Sequence, residues 1–191
     1  VIRLARHLGC TGFADLKRRV SQDIATARMF VFSDHVVISD DTEVVAGQVY
    51  EATAQALAYS FAQRDPQSLE RAATAIDAAQ RVFCLGTGGS SANMAQEMEN
   101  RLFRFDIHAT ALVDAYKQRI AAATCEARDV LLIFSVTGRP STLIDCATVA
   151  GGAGGVVISV TRPGSPLAAA SSILLPLDIP DNDRRFEIPN R

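Results

Sequence analysis

Apolar residues at the start of the chain recur three and four positions apart, which is the period of an α-helix. The segments VIRLARHLG and TGFADLKRRVSQDI both show this spacing, and a short turn containing Gly9 separates them. The first segment leaves its arginines and its histidine on the face opposite the apolar residues. The pattern predicts two short helices joined by a turn over residues 1–29.

Residues 30–42 lack any helical period and end in an acidic turn, so we interpret them as a linker. Helical spacing resumes at Glu43 and continues to a break before Asp65. Asp65 and Pro66 suit the N-cap and the first position of a further helix. We expect the buried face of that helix to contain Leu69, Ala72, Ala73 and Ile76.

Short apolar runs then alternate with helical patterns to the end of the chain. Runs rich in Val, Ile and Leu predict strands at 81–85, 108–113, 130–134, 156–160 and 173–175. Helical patterns lie between them at 90–105, 115–124, 141–151 and 165–170. The strands show no clean alternation with polar residues, which is typical of strands covered on both faces. The sequence therefore predicts an α/β fold with a doubly wound, five-stranded parallel sheet flanked by helices.

Composition is that of a soluble globular protein, with 48% hydrophobic and 21% charged residues among 191. No apolar run is long enough for a membrane helix, so we expect a cytoplasmic protein with no membrane partner. The four cysteines form no C-x-x-C pair and the three histidines do not cluster. These spacings predict no metal site and no cofactor, with the cysteines acting as small apolar residues. The sequence starts inside a helical pattern and ends without a closing helix, so we expect a fragment of a longer chain.

Charge is distributed unevenly: residues 1–28 have a net charge of +4 and the remainder −6. A basic helical arm on an acidic body indicates that only the arm meets a polyanion. Two helices, a glycine turn and outward arginines suit the C-terminal part of a helix-turn-helix DNA-binding domain. The candidate contacts to a double-stranded DNA operator are Arg3, Arg6, His7 and Lys17. Charge alone leaves a solvated helix face as an alternative.

A glycine-rich turn joins the first predicted strand to the helix after it, in the segment FCLGTGGSSANMAQEMENRL. This layout presents free backbone N–H groups to a phosphate. A P-loop is excluded because no lysine follows the glycines. A dinucleotide fingerprint is half satisfied by Gly86 and Gly88, with Ser91 in place of the third glycine and Asp114 as a candidate ribose-binding acid. This turn alone leaves a dinucleotide and a sugar phosphate both open.

A second turn, IFSVTGRPST, follows the third predicted strand and brings more hydroxyl groups to the same sheet edge. Two hydroxyl-rich turns can surround a compact phosphate and suit a sugar, but they leave no length for an adenine. The pair therefore favours a sugar phosphate. Glu97 and Glu99 follow the first turn, and we interpret them as helix surface rather than as proton-transfer groups. We accordingly expect no catalytic residues.

Three stretches in order, GTGGSS, DVLLIFSVTGRPST and GGVVISVTRPGSPLAAAS, resemble the sugar isomerase (SIS) domain. The N-terminal VIRLARHLGCTGFADLKRRV is similar to the end of the helix-turn-helix in RpiR-type transcriptional regulators. The resemblance implies a SIS phosphosugar-binding domain over 43–191 and a regulator, not an enzyme, whose operator binding responds to a sugar phosphate. A sugar-phosphate isomerase using the same pocket is the alternative.

The resemblance also implies a set of sugar-phosphate ligands in the two turns. They are Gly88, Gly89, Ser90, Ser91, Ser135, Thr137, Gly138 and Ser141. Pro140 departs from the family pattern, because it replaces a hydroxyl residue that closes on the phosphate. A regulator that binds two half-sites needs two-fold symmetry, and the helices over 43–79 offer spare apolar surface, so we expect a homodimer or a dimer of dimers.

Overall fold

The computed structural model describes residues 11–13, 15, 17 and 41–178. Contacts divide the chain into two compact units, with the boundary after Ala52. In the first unit, residues 13, 15 and 17 are helical, in agreement with the helix predicted there. The backbone N–H of Thr11 donates a hydrogen bond to the carboxylate of Asp15 (3.0 Å). Residue 29 lies outside the described residues, and residue 42 lies at the start of the described range 41–178. The domain boundaries predicted at these two positions stay predictions.

From Thr42 onward the chain forms six helices and five strands within the described range. In order they are α1 Thr42–Gln63, α2 Pro66–Asp77, β1 Arg81–Gly86, α3 Ser90–Phe103, β2 Ala109–Leu112, α4 Ala115–Ala123, β3 Asp129–Ser135, α5 Ser141–Gly152, β4 Val156–Thr161, α6 Pro166–Ala169 and β5 Ile173–Pro176. Every predicted strand from residue 81 onward is present, and so is every predicted helix between them.

The five strands form one parallel sheet in the order β2-β1-β3-β4-β5. The chain leaves β1 for β2 on one side and returns to β3 on the other. Connections therefore diverge between β1 and β3, which is the switch point where parallel sheets bind ligands. The register places Gly86 opposite Phe134 and Ser135 opposite Thr161 at the carboxyl ends of the strands.

Each face of the sheet carries its own hydrophobic core. Helices α2 and α3 cover one face, where Ala72, Ala95 and Leu102 pack on strand residues such as Val82 and Leu132. Helices α4, α5 and α6 cover the opposite face through Ala122, Leu143, Ala147 and Leu167, which pack on Leu131 and Ile133. Burial on both faces explains why the strands lack polar alternation, and the predicted fold class is confirmed.

The buried face of α2 agrees with the prediction at Ala72 and Ile76, which pack in the core, and differs from it at the other two positions. Leu69 is 46% exposed and Ala73 is exposed, while Ser68 and Ala72 are buried. Ser68 tolerates burial because its hydroxyl donates to the Asp65 carboxylate (2.6 Å), so the polar group keeps a partner. The same carboxylate accepts the backbone N–H groups of Gln67 and Ser68, as expected for the N-cap. The helix is thus rotated relative to the face that hydrophobicity alone selects.

The cysteines within the described range, Cys84, Cys125 and Cys146, are buried and free of disulfides. Burial raises the pKa of the Cys84 thiol to about 12, so it stays protonated at neutral pH. No metal-binding cluster of His, Cys, Asp or Glu occurs among the residues that the structure describes. Over the same residues, no helix has the length and apolar character needed to cross a membrane.

Candidate functional site

The first loop, residues 86–91, is a tight turn between β1 and α3. A Cβ on Gly86 would lie 2.0 Å from the backbone oxygen of Ser91, so only glycine permits this closure. Gly88 has a φ of +76°, in the left-handed region that glycine adopts without strain. Gly89 occupies the N-cap position of α3 and offers no capping side chain. The loop therefore leaves the N–H groups of the first turn of α3 available to a ligand.

The second loop, residues 135–141, joins β3 to α5. The buried hydroxyl of Ser135 accepts the backbone N–H of Gly138 (3.2 Å), which bends the loop back on itself. A hydroxyl that accepts one hydrogen bond keeps its own hydrogen for a second partner. Thr137, Arg139 and Ser141 are exposed. The second loop thus combines a buried structural serine with accessible donors at its surface.

Thr161, the last residue of β4, and Ser165, at the N-cap of α6, pack against the second loop. Gly138 has a φ of +60°, and a Cβ there would lie 2.1 Å from Ser165 Oγ and 2.6 Å from Thr161 Oγ1. The carbonyl oxygen of Gly138 accepts the N–H of Leu167 (3.1 Å). Ser165 caps α6 by accepting the N–H of Ala168 (3.2 Å). The second loop can therefore move little without displacing the start of α6.

The two helices that follow the candidate loops differ from α2, α4 and α6 in how their N-termini are capped. Asp65, Asp114 and Ser165 cap α2, α4 and α6 through their side chains. In contrast, α3 and α5 begin at Gly89 and Pro140 without any side-chain cap. An uncapped helix start carries free N–H groups and partial positive charge. Both such helices follow the strands that flank the switch point, so this edge of the sheet is suited to an anion.

Pro140 keeps a structural role although it lacks the hydroxyl expected at its position. Its carbonyl oxygen accepts the N–H groups of Leu143 (3.1 Å) and Ile144 (3.2 Å), which begins the first turn of α5. Ser141 follows as the exposed first residue of α5. Ser141 thus places an exposed hydroxyl directly after Pro140 in the chain.

The predicted ligands fall into the two loops as the sequence implied, on neighbouring strands at one sheet edge. Gly88 and Gly89 are exposed, and Ser90 and Ser91 are half-buried at the start of α3. Among the predicted DNA contacts, Lys17 is helical and exposed. Arg3, Arg6 and His7 lie outside the described residues.

Two carboxylates considered for other roles have structural partners. Asp114 accepts the N–H groups of Tyr116 (3.1 Å) and Lys117 (3.0 Å) as the cap of α4, which accounts for it without a ribose. Glu97 forms an ion pair with Arg101 one turn later on α3 (2.8 Å). These contacts weaken both the dinucleotide interpretation and the proton-transfer interpretation.

Sequence reasoning missed Gln118, a fully buried side chain on α4. Its Nε2 donates to the carbonyl oxygens of Gly86 (3.0 Å) and Leu112 (2.8 Å). Gln118 precedes the buried Ala121 and Ala122 by three and four residues. A polar residue on the inner stripe of a helix was the signal that could have revealed it.

Comparison with known proteins identifies the domain that contains both loops. The family model of the SIS domain matches residues 75–184, more than half of the chain. The chain belongs to the SIS domain family. The matched span of the SIS domain includes all five strands and both candidate loops.

The transcriptional regulator HexR of Pseudomonas aeruginosa, described as an HTH-type regulator, is 30% identical over 182 residues. That alignment covers 95% of this chain and 63% of HexR, so the chain spans under two thirds of this relative's length. The resemblance to helix-turn-helix regulators that carry a SIS domain is confirmed by this similarity.

Solved structures share the fold at lower sequence identity. The Vibrio vulnificus NanR protein, solved in complex with ManNAc-6P, is 22% identical with a TM-score of 0.69, covering 96% of this chain and 64% of NanR. A phosphoheptose isomerase from Francisella tularensis is 20% identical with a TM-score of 0.61, covering 74% of this chain and 88% of the isomerase. The same fold therefore occurs in a protein solved with a bound sugar phosphate and in an enzyme.

Proposed function

We propose that this chain is the sensing part of a DNA-binding transcriptional regulator, and that its SIS domain binds a sugar phosphate which changes operator affinity. The observation that carries the proposal is the pair of uncapped helix starts at the switch point, α3 and α5. A phosphate dianion placed there accepts free N–H groups from both helices and interacts favourably with both dipoles.

Hydroxyl groups complete the proposed phosphate site. Ser90 and Ser91 lie at the start of α3, and Thr137 and Ser141 are exposed in the second loop. Each can donate a charge-assisted hydrogen bond, which contributes about 1.5–3 kcal/mol. Ser135 has a second role in this scheme, because its bond to the Gly138 N–H shapes the loop that presents Thr137.

The regulator role is supported by the similarity to HexR and by the basic N-terminal segment. An isomerase gains nothing from a basic arm, and it needs an acid–base group beside the sugar. Glu97 is paired with Arg101, and the Cys84 thiol is protonated at neutral pH. We therefore propose that the protein is not an enzyme and that it acts on operator DNA in the cytoplasm as a homodimer or a dimer of dimers.

A sugar-phosphate isomerase is the second candidate, supported by the fold shared with phosphoheptose isomerase. The two candidates differ in one measurable respect, since an isomerase converts its sugar phosphate and a sensor releases it unchanged. Incubation of the protein with each sugar phosphate that it binds, followed by chromatography of the sugars, separates them. Steady turnover supports the isomerase.

Thermal-shift screening against hexose 6-phosphates, including ManNAc-6P, tests the proposed ligand class. A ligand that binds only the native state stabilises it by about 2.7 kcal/mol at a hundredfold excess over Kd. We expect a phosphorylated sugar to raise Tm and its unphosphorylated parent to leave Tm unchanged. Equal shifts with both forms would contradict a phosphate site.

Ser90→Ala and Thr137→Ala should each weaken binding of the stabilising sugar phosphate by about 1.5–3 kcal/mol, because each removes a charge-assisted donor. Isothermal titration measures the change. Thr148→Ala is the matched control: Thr148 is an exposed threonine of α5 whose hydroxyl bonds to the Ile144 carbonyl oxygen within the helix. Unchanged affinity in both loop variants would remove these residues from the site.

A further inference from the structure

Gln118 ties together the carboxyl ends of two neighbouring strands although it lies in neither candidate loop. Its side chain is 0% exposed, and its Nε2 donates to the carbonyl oxygens of Gly86 (3.0 Å) and Leu112 (2.8 Å), the last residues of β1 and β2. Both partners are acceptors, so the amide NH₂ and not the amide oxygen must face them. The orientation of the Gln118 amide is therefore fixed by its surroundings.

Packing alone does not explain a glutamine at this position. Its Oε1 is buried and has no hydrogen-bond partner among the residues that the structure describes. An unpaired buried acceptor is unfavourable, whereas a methionine or leucine would fill similar space without that cost. The two bonds to backbone carbonyl oxygens are what the glutamine gains in return.

One of those carbonyl groups belongs to the first residue of the first loop. Gly86 is in direct backbone contact with Ser91, since a Cβ on Gly86 would lie 2.0 Å from the Ser91 oxygen. The peptide between Gly86 and Thr87 is planar and trans, so the direction of the Gly86 carbonyl sets the direction of the Thr87 N–H. A contact path thus runs from Gln118 through Gly86 to the first turn of α3.

We propose that Gln118 is a positioning residue of the phosphate site, which holds the Gly86 carbonyl and thereby fixes the first loop in its phosphate-binding arrangement. This inference rests on the proposed function, because it assumes that the first loop binds phosphate. Without the amide the loop has more than one accessible arrangement, and a ligand that needs one of them binds more weakly in proportion to its population.

Titration of the variant Gln118→Met with inorganic phosphate and with glucose 6-phosphate tests the proposal. Methionine keeps the size of the side chain and removes the donor. We expect both Kd values to rise by about tenfold, which corresponds to about 1.4 kcal/mol. Val130→Ala is the control, because Val130 is buried near the amino end of β3, away from the loops. It should lower Tm and leave both Kd values unchanged.

The variant Gln118→Glu adds a readout that a purely structural role does not move. An ionised glutamate repels the two carbonyl oxygens, whereas a protonated one can donate to one of them. The ratio of its phosphate Kd to that of the natural protein should therefore fall as the pH falls. A ratio independent of pH would overturn the proposal.

If both variants fail to fold, NMR of the natural protein still decides the question. Phosphate binding should shift the side-chain amide resonances of Gln118, and the absence of a shift would overturn the proposal. If the natural protein and the Gln118→Met variant bind phosphate equally well, this inference alone is overturned. A natural protein that binds neither inorganic phosphate nor any hexose 6-phosphate overturns the proposed function as well.

Discussion

Gly88 and Gly138, one in each candidate loop, share a left-handed backbone but differ in their surroundings. Their φ values are +76° and +60°, and for a residue with a Cβ this region typically costs about 1–2 kcal/mol. Around Gly88 a Cβ would meet nothing within 4 Å, whereas at Gly138 it would meet Ser165 Oγ at 2.1 Å. The second loop is therefore held by packing as well as by backbone conformation.

Gly138→Ala should consequently destabilise the protein more than Gly88→Ala. We expect Gly88→Ala to lower the free energy of unfolding by about 1–2 kcal/mol. Gly138→Ala should lower it by about a further 1–3 kcal/mol, because the added methyl overpacks the site. Urea unfolding followed by circular dichroism measures both, since the chain contains no tryptophan. Equal losses in the two variants would show that the contact with Ser165 does not constrain the loop.

Local chemistry was largely predictable at the residue scale, and long-range contacts were not. The Asp65 cap could be inferred from the sequence because cap and helix are adjacent in the chain. The position of Gln118 on the inner stripe of α4 is a local signal of its burial, but its partner Gly86 is 32 positions away, so no local pattern reveals the contact. Sequence also could not show that Ser135 is engaged within its own loop, because that depends on the left-handed turn at Gly138.

Strands β1 and β3 are joined at their amino ends by an ion pair between the half-exposed Arg81 and the buried Asp129. Arg81 donates through Nε to Asp129 Oδ1 (3.0 Å) and through Nη2 to Oδ2, which also accepts the N–H of Glu126 (2.8 Å). The hydrogen bond from Arg81 lowers the pKa of Asp129, against the opposing effect of burial. The pair fixes the strands that, at their opposite ends, carry the two candidate loops.

The lowered pKa of Asp129 has a defined consequence for acid stability. The Asp129 carboxylate is protonated at a higher pH in the unfolded chain than in the folded one. Its contribution to the free energy of unfolding is therefore complete above the ordinary pKa of 3.8. It is lost as the pH falls through the lower folded value. Asp129→Asn should lower the free energy of unfolding by about 1–3 kcal/mol at pH 7, and by less below pH 4.

Urea unfolding at pH 7 and at pH 3 measures this difference between the natural protein and Asp129→Asn. Asp77→Asn, at an exposed position in the last turn of α2, is the control and should have little effect at either pH. A loss for Asp129→Asn that is the same at both pH values would show that ionisation of Asp129 does not stabilise the fold.

Order and type of the elements were readable from the sequence because each buried strand and each helix has its own hydrophobic period. The rotation of α2 about its axis could not be predicted from the sequence, because hydrophobicity favours burial of Leu69 while the structure buries Ser68. A serine bonded to the Asp65 carboxylate is effectively less polar than its type suggests. A contact between the N-cap and a side chain three residues later thus helps to decide which face of this helix is buried.

Exposed apolar side chains on the helices before the sheet support the proposed self-association. Leu57 and Phe61 lie one turn apart on α1 and are 68% and 64% exposed. Contiguous apolar surface of this kind commonly marks an interface. We expect sedimentation of the full-length protein to show a dimer or a tetramer at micromolar concentration.

Leu57→Lys should weaken this association, because it places a charge on the apolar stripe. Val149→Lys is the matched control, since Val149 is a 49% exposed apolar residue of α5. A monomer in the natural full-length protein would contradict the proposed assembly. Equal weakening by both variants would show that α1 is not the specific interface.

The proposed regulator requires energetic coupling between sugar-phosphate binding and DNA binding. A sugar phosphate alters DNA affinity only if it binds the DNA-competent and the DNA-incompetent arrangements with different affinities. A typical coupling of about 1–3 kcal/mol changes operator affinity by about 5–150-fold. Arg3→Ala and Arg6→Ala should weaken DNA binding and leave sugar-phosphate affinity intact, whereas Ser135→Ala should keep DNA binding but remove its response to the sugar.

The most direct test is a fluorescence-anisotropy titration of DNA with the full-length protein, with and without the sugar phosphate that raises its Tm. The DNA is a fragment that the protein itself selects from a random-sequence pool. The account predicts that the sugar phosphate changes the DNA Kd by at least about fivefold and is recovered unconverted. A DNA Kd that is the same with and without the sugar phosphate, together with steady conversion of the sugar, would contradict it.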